Sequence, residues 1–267
     1  VADPHMLQDI LSVFSGTLVG FILGLIGGGG SILAVPLLVY VVRIGSPHLA
    51  IGTGALAVAA SALFNLLTHA RAGNLKWQCA LVFAAAGVFG AAAGAFLGQQ
   101  VDGELLLGLF GLLMIVVGVL MLRPRSGGNG DVRLTWKVAP RLAGSGFVVG
   151  GLSGFFGIGG GFLVVPGLIV ATSMPLLNAI GSSLVSVTAF GSATAASYAV
   201  SGLIVWRIAI LFILGGVLGG IAGSWASKAL SVRKRALNYV FSGIVISVGV
   251  MVAVDGLRTL YHAMPPG

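Results

Sequence analysis

The chain has 267 residues, of which 57% are hydrophobic and only 7% charged, against roughly 25% charged in an average soluble domain; its mean hydropathy is +1.10. So little charge cannot clothe so much apolar surface in water, which excludes a soluble globule and leaves an all-α polytopic membrane protein. A transmembrane barrel is excluded too, because stretches such as 80–98 and 105–122 are apolar on every face instead of alternating. The net charge of +8 comes from basic residues in short loops, the pattern of cytoplasmic loops against lipid, not of a nucleic-acid partner. Cys79 is the single cysteine, so no intrachain disulfide and no cysteine-built metal site is expected. Four histidines and six acidic residues form no catalytic constellation, and no cofactor is expected.

Residues 1–5 (VADPH) read as a cloning remnant ahead of Met6. The apolar stretch after Met6 lacks a basic n-region and a cleavage motif, so it is expected to be a membrane segment and not a removed signal peptide. With about 20 apolar residues per crossing, segments fall at 7–26, 31–42, 49–68, 78–98, 105–122, 142–158, 162–172, 179–200, 207–227 and 237–254. Two are too short: Ser31 to Val42 covers about 18 Å of a core about 30 Å thick, and 162–172 is no longer. Each short segment follows a glycine cluster and carries a proline, which costs a helical hydrogen bond.

These two places match. GLIGGGGSILAVP (24–36) aligns without gaps on GFFGIGGGFLVVP (154–166), with seven of thirteen positions identical. One residue out of phase, the match continues: Ile51-Gly52-Thr53 with Ile180-Gly181-Ser182, Gly73 with Gly202, Trp77 with Trp206, and Gly87, Gly90 and Gly94 with Gly216, Gly219 and Gly223. The chain therefore reads as a first repeat over 6–122, a polar linker over 123–140, and a second repeat over 141–267. Each repeat contains a broken or re-entrant Gly-rich helix pair and three further transmembrane helices.

Lysine and arginine set the orientation. The linker region holds Arg123, Arg125, Arg133, Lys137 and Arg141, and the loop before the last segment holds Lys228, Arg233, Lys234 and Arg235; both are expected in the cytoplasm. Counting back puts Asp102 and Glu104 outside, Arg71 and Lys76 inside and Arg43 outside, and counting forward puts Arg207 outside. The copies are then inverted relative to each other. Inverted repeats with broken helices are the architecture of secondary transporters, with the substrate near the midplane at the breaks.

Three or four consecutive glycines unwind a helix more readily than they pack it, and unwound backbone at membrane depth must line a cavity or be buried in protein. The amides of Gly28, Gly29, Gly30 and Ser31, and of Gly159, Gly160 and Gly161, together with the positive ends of the short helices, make a site for an anion. Starting each short helix at Pro36 and Pro166 instead would move that site by one turn. Thr53, Ser182 and Ser183, at the start of the segment after each short helix, are either ligand contacts or plain helix caps. Asn65 and His69, matched by Thr194 and Tyr198, are secondary candidates whose ordinary role would be interhelical hydrogen bonding or solvation. Asp9, Asp102, Glu104 and Asp255 all fall near segment ends, which leaves no carboxylate at mid-membrane for a cation. Arg43, Arg71 and Arg207 also lie at segment ends, as snorkelling or gating residues.

The two proline-terminated Gly-rich motifs, the Ile-Gly-Thr and Ile-Gly-Ser segments and the Gly-x3-Trp loops at Gly73 and Gly202 resemble the TauE/SafE family of sulfite exporters over nearly the whole chain after Met6. The resemblance implies a bacterial or archaeal inner-membrane transporter that exports sulfite or a small organosulfur anion such as sulfoacetate. A passive anion channel is the alternative, and an intramembrane enzyme is third. Ile158 in place of Gly28, and Tyr198 in place of His69, depart from a symmetric pattern, so the two halves are not expected to contribute equally.

Overall fold

The computed structural model describes residues 4–26, 28–71, 75–122, 135, 138–229 and 234–263. Nearly all of the linker, the loop before the last helix and Gly73 lie outside them. The described chain is helical throughout: α1 (Pro4–Ile26), a short composite helix α2, α3 (Pro47–Arg71), α4 (Trp77–Gln100), α5 (Gly103–Met121), α6 (Ala139–Phe156), α7 (Gly161–Thr172), α8 (Leu176–Val200), α9 (Trp206–Ala229) and α10 (Lys234–Ala263). Helix α2 winds as a 3-10 helix over Gly28–Leu33, as α over Ala34–Pro36 and as a π turn over Leu37–Val41. Seven of the helices (α1, α3, α4, α5, α8, α9 and α10) are long and apolar enough to cross a membrane, while α2, α6 and α7 are not.

Local signals explain several boundaries. Asp102 caps α5, its Oδ1 accepting from the amides of Glu104 (3.0 Å) and Leu105 (3.1 Å). Helix α6 ends at Gly157, which adopts the left-handed conformation (φ 66°). The amides of Gly157 and Ile158 then bond the carbonyls of Gly154 and Ser153, which closes the helix as a Schellman motif. The two short helices end alike, on the non-glycine left-handed residues Arg43 (φ 60°) and Ser173 (φ 57°) at matched positions.

The two halves interlock. Helix α1 packs along α9 and α6 packs along α4, so the first helix of each half lies on the fourth helix of the other. These pairs touch backbone to backbone. A Cβ on Gly20 would overlap the Gly216 carbonyl, one on Gly219 the Thr17 carbonyl, one on Gly90 the Phe147 carbonyl and one on Gly94 the Gly151 carbonyl. Without a hydrophobic drive between helices in lipid, such close approach is the main source of association. Gly87, Gly90 and Gly94 and their matches 216, 219 and 223 thus pack helices, and Gly16, Gly20, Gly24, Gly146, Gly150 and Gly154 face α9 and α4 from α1 and α6. Exchanging the halves maps the main helix contacts onto one another, with α3 on α8 and α5 on α10 pairing with their own equivalents. The pair α5 and α10 runs antiparallel, Gly108 facing Gly256, Gly111 facing Ala253 and Gly118 facing Ile246.

The expected segments reappear as helices, with two differences. The first glycine run is not unwound: from Gly28 it winds as a 3-10 helix, three residues before the expected start. In a 3-10 helix the side chains at i and i+3 eclipse, and the pairs 28/31, 29/32 and 30/33 each include a glycine, so none collide. Neither short helix begins at its proline, since Pro36 closes the α turn and Pro166 lies inside α7.

Valine at Gly90 or Gly219 is expected to force two backbones apart and cost about 3 kcal/mol or more of stability. Gly144→Ala meets nothing within 4 Å and should gain up to about 1 kcal/mol from helix propensity. Thermal unfolding of the purified variants checks both.

Candidate functional site

The two breaks fall where the halves meet, with α7 packed against the 3-10 turn of α2. Each tucks back onto the helix before it. A Cβ on Gly30 would stand 2.6 Å from the Leu23 amide, and one on the matched Gly160 would stand 2.7 Å from Ser153 Oγ. Residues 23 and 153 are themselves matched, so the two hairpins share a geometry while differing in chemistry. A Cβ on Gly159 would lie 3.1 Å from Val58 Cγ1 and 3.6 Å from Val187 Cγ1. Those valines occupy equivalent positions on α3 and α8, which puts the second break at the crossing of the two central helices. Residues 157–161 are all buried.

The second break is an open turn of backbone. Gly157, Gly159 and Gly160 have φ of 66°, 62° and 71°, a conformation that side chains with a Cβ rarely adopt. The Gly160 carbonyl accepts from Leu163 and Val164, both at 2.9 Å, and starts α7. The amides of Gly159, Gly160, Gly161 and Phe162 donate to no acceptor among the described residues. Successive amides in such a turn form an anion-binding concavity, and the start of the 12-residue α7 adds its partial positive charge. In the first break Gly29, Gly30 and Ser31 are also buried; Gly28 begins that turn, where the second half has Ile158. Ile158 is fully buried and anchors the Schellman turn, an anchor that a glycine cannot supply.

The paired hydroxyls do something else. Thr53 Oγ1 accepts the amide of Val205, just ahead of α9, at 3.0 Å. Ser182 Oγ accepts the amide of Lys76, just ahead of α4, also at 3.0 Å. These are matched bonds in which a helix of one half satisfies an orphan amide at the start of a helix of the other. They lie near the N-termini of the antiparallel α3 and α8, toward opposite ends of the bundle. Ser183 returns its hydroxyl to the Ile180 carbonyl at 2.7 Å. Asn65, 3% exposed, donates to the Ser61 carbonyl at 3.0 Å and sits against Gly220, and His69 Nδ1 lies 3.2 Å from the Asn65 carbonyl. Thr194 is fully buried. Arg207 pairs with Asp9 where α9 and α1 begin side by side. Arg43 is exposed at the end of α2, and Arg71 is the last residue of α3.

Ser153 is a polar residue at the break that sequence inspection passes over. Its signal is a departure within the repeat, a serine where the first copy has Leu23. A second is the cluster in which Gln99 Nε2 donates to Ser197 Oγ (2.9 Å) while Ser201 Oγ donates to Gln99 Oε1 (2.6 Å), joining α4 to the end of α8.

Removing the Thr53 or Ser182 acceptor, as Thr53→Val or Ser182→Ala, is expected to cost about 1 kcal/mol each. The sites are distant, so the double variant should lose the sum. Thermal melting without any anion checks this, because the bonds belong to the fold.

The sulfite exporter TauE/SafE family matches residues 12–252. A "Probable membrane transporter protein" of Xylella fastidiosa is 50% identical over 248 residues, covering 91% of this chain and 94% of that protein. "Probable membrane transporter protein YunE" of Bacillus subtilis is 24% identical over 271 residues, covering 93% of this chain and 98% of that protein. No solved structure matches the chain. A duplicated glycine-proline motif, a multi-pass helical bundle and a match over nearly its full length place this membrane transporter in the TauE/SafE sulfite exporter family.

Proposed function

We propose that the protein exports sulfite or a small organosulfur anion across a bacterial or archaeal inner membrane, binding it near the midplane at the glycine breaks. The observation that carries this reading is the second break, where four consecutive amides point to no protein acceptor at the positive end of a helix. Charge complementarity supports it, since no aspartate or glutamate is buried among the described residues and a cation would find no counter-charge there. Burial of the whole break favours a carrier over a passive channel, because an ion held there faces neither side of the membrane. In this reading the halves are inverted repeats, the antiparallel pairing of α5 with α10 being what a two-fold axis in the membrane plane produces. The linker and the loop before α10 lie in the cytoplasm, and Asp102 lies outside.

Flux in proteoliposomes is the direct test. A carrier should give saturable sulfite flux that is accelerated by sulfite on the far side, whereas linear flux without counter-transport would indicate a channel. Sulfite at about a hundredfold excess over its dissociation constant should add about 2.7 kcal/mol to stability, where matched chloride adds far less; equal melting in both salts would remove the sulfite site. For topology, single cysteines at Gln100 and Ser126 on a Cys79→Ala background should be labelled from the periplasm at residue 100 and not at residue 126.

A further inference from the structure

Ser153 lies on α6 one turn before the second break, is fully buried, and its Oγ has no hydrogen-bond partner among the described residues. Hydroxyls on membrane helices ordinarily return their proton to the carbonyl four residues back, as Ser12, Thr17, Thr172 and Thr188 do here at 2.7–2.8 Å. Ser153 does not use that acceptor. Its Oγ faces the turn, 2.7 Å from where a Cβ on Gly160 would stand, and its own carbonyl receives the Ile158 amide that closes the turn. An unpartnered buried hydroxyl is a standing cost to the fold, and the matched position in the other half avoids it with Leu23.

The charge around this hydroxyl is as informative as the hydroxyl. No lysine, arginine, histidine, aspartate or glutamate is buried among the described residues. The titratable groups of the surrounding elements are Tyr40 and Arg43 on or after α2, His48, His69 and Arg71 on α3, Lys76 and Cys79 at the start of α4, Asp102 and Glu104 at the start of α5, Arg141 on α6 and Tyr198 on α8. Each falls within three residues of an element end. Positive potential at the turn therefore comes from amides and from the start of α7, equivalent to about half an elementary charge. Desolvation grows with the square of the charge, so a second negative charge raises its cost about fourfold, and this site has little with which to answer it.

We propose that Ser153 Oγ and the amides of Gly159, Gly160, Gly161 and Phe162 form one binding seat, and that it takes an oxyanion carrying a single negative charge. Hydrogensulfite and simple alkanesulfonates belong to that class; the sulfite dianion and sulfate do not. The proposal rests on the second break being the anion site, and adds to it a side-chain ligand and a charge state. Ser153 donates its proton to one anion oxygen while the amides hold the others.

Thermal stability of the purified protein, titrated with sodium methanesulfonate, sulfite and sulfate from mildly acidic to mildly alkaline pH, tests the charge state. Methanesulfonate affinity should not vary with pH. Affinity for total sulfite should fall about tenfold per pH unit once hydrogensulfite loses its proton, and sulfate should not stabilise the protein. A sulfite affinity that holds steady or rises with pH, or sulfate binding as tightly as methanesulfonate, overturns the single-charge assignment. Ser153→Ala should weaken methanesulfonate about tenfold while the ligand-free melting temperature holds or rises, a combination that a purely structural serine would not give. Unchanged affinity in Ser153→Ala with weakened binding in Gly159→Ala overturns Ser153 as a ligand and leaves the break as the site. Unchanged affinity in both removes the site from the break altogether.

Discussion

The architecture depends on backbone contact between glycine faces. Within a bilayer an apolar side chain gains nothing by leaving lipid for another helix, so α1 on α9 and α6 on α4 must be held by close approach. Gly20 against Gly216 and Gly150 against Gly87 are places where a single methyl would overlap the neighbouring carbonyl. Because each pair takes one helix from each half, the same contacts that stabilise the bundle also join the halves. They fix the tilt of α1 and α6, and so the depth at which each hairpin turns back. With those helices pinned, the second turn has to fall between Val58 and Val187, where α3 crosses α8.

Inside this shared frame the two turns have diverged. The first stays wound through Gly28–Leu33 and rests on Leu23. The second opens through left-handed glycines, leaves four amides unspent and rests on Ser153. If the halves are inverted repeats, as proposed, nothing in a two-fold scaffold requires two ligands, and one anion near the pseudo-axis needs only one well-furnished turn. Ile158, whose side chain is fully buried and whose amide bonds the Ser153 carbonyl, stands in the second turn where the first has Gly28.

The number of helices, their approximate extents and the packing role of Gly87, Gly90 and Gly94 were legible in the sequence, because apolar length and small-residue spacing are local properties. The segment expected at 105–122 is α5 (Gly103–Met121), and the one expected at 207–227 is α9 (Trp206–Ala229). The partner glycines on α1 and α6 were hidden, since a glycine shows its neighbour only once the helices are docked. The same holds for Thr53 and Ser182: that each would cap a helix of the opposite half is a fact of tertiary structure, visible beforehand only as a preserved hydroxyl in both copies. The 3-10 winding of the first break was obscured by the identity of the two motifs at most positions. Among the positions at which they differ are 28/158, inside the turn, and 23/153, one turn before it.

The interior polarity of the described chain is almost entirely hydroxyl, and the bonds that the partnered hydroxyls make follow from what lies within their reach. Where an orphan amide opens a neighbouring helix, as at Val205 and Lys76, the hydroxyl accepts it and the bundle gains a staple. Where only its own helix is near, as for Thr17 or Thr188, the proton goes back to the preceding turn. Ser153 bonds neither an amide nor the carbonyl of its own preceding turn, and it faces a turn whose amides are themselves unspent. The Ser153 hydroxyl can both donate and accept, yet it bonds none of the amides of the turn it faces; in the proposed reading both wait on a third body rich in acceptors. An oxyanion is such a body, and a metal cation or an ammonium group is not. In the proposed reading, the second break brings unspent amides and an unpartnered hydroxyl together on one turn, and the cargo is a group that accepts from both.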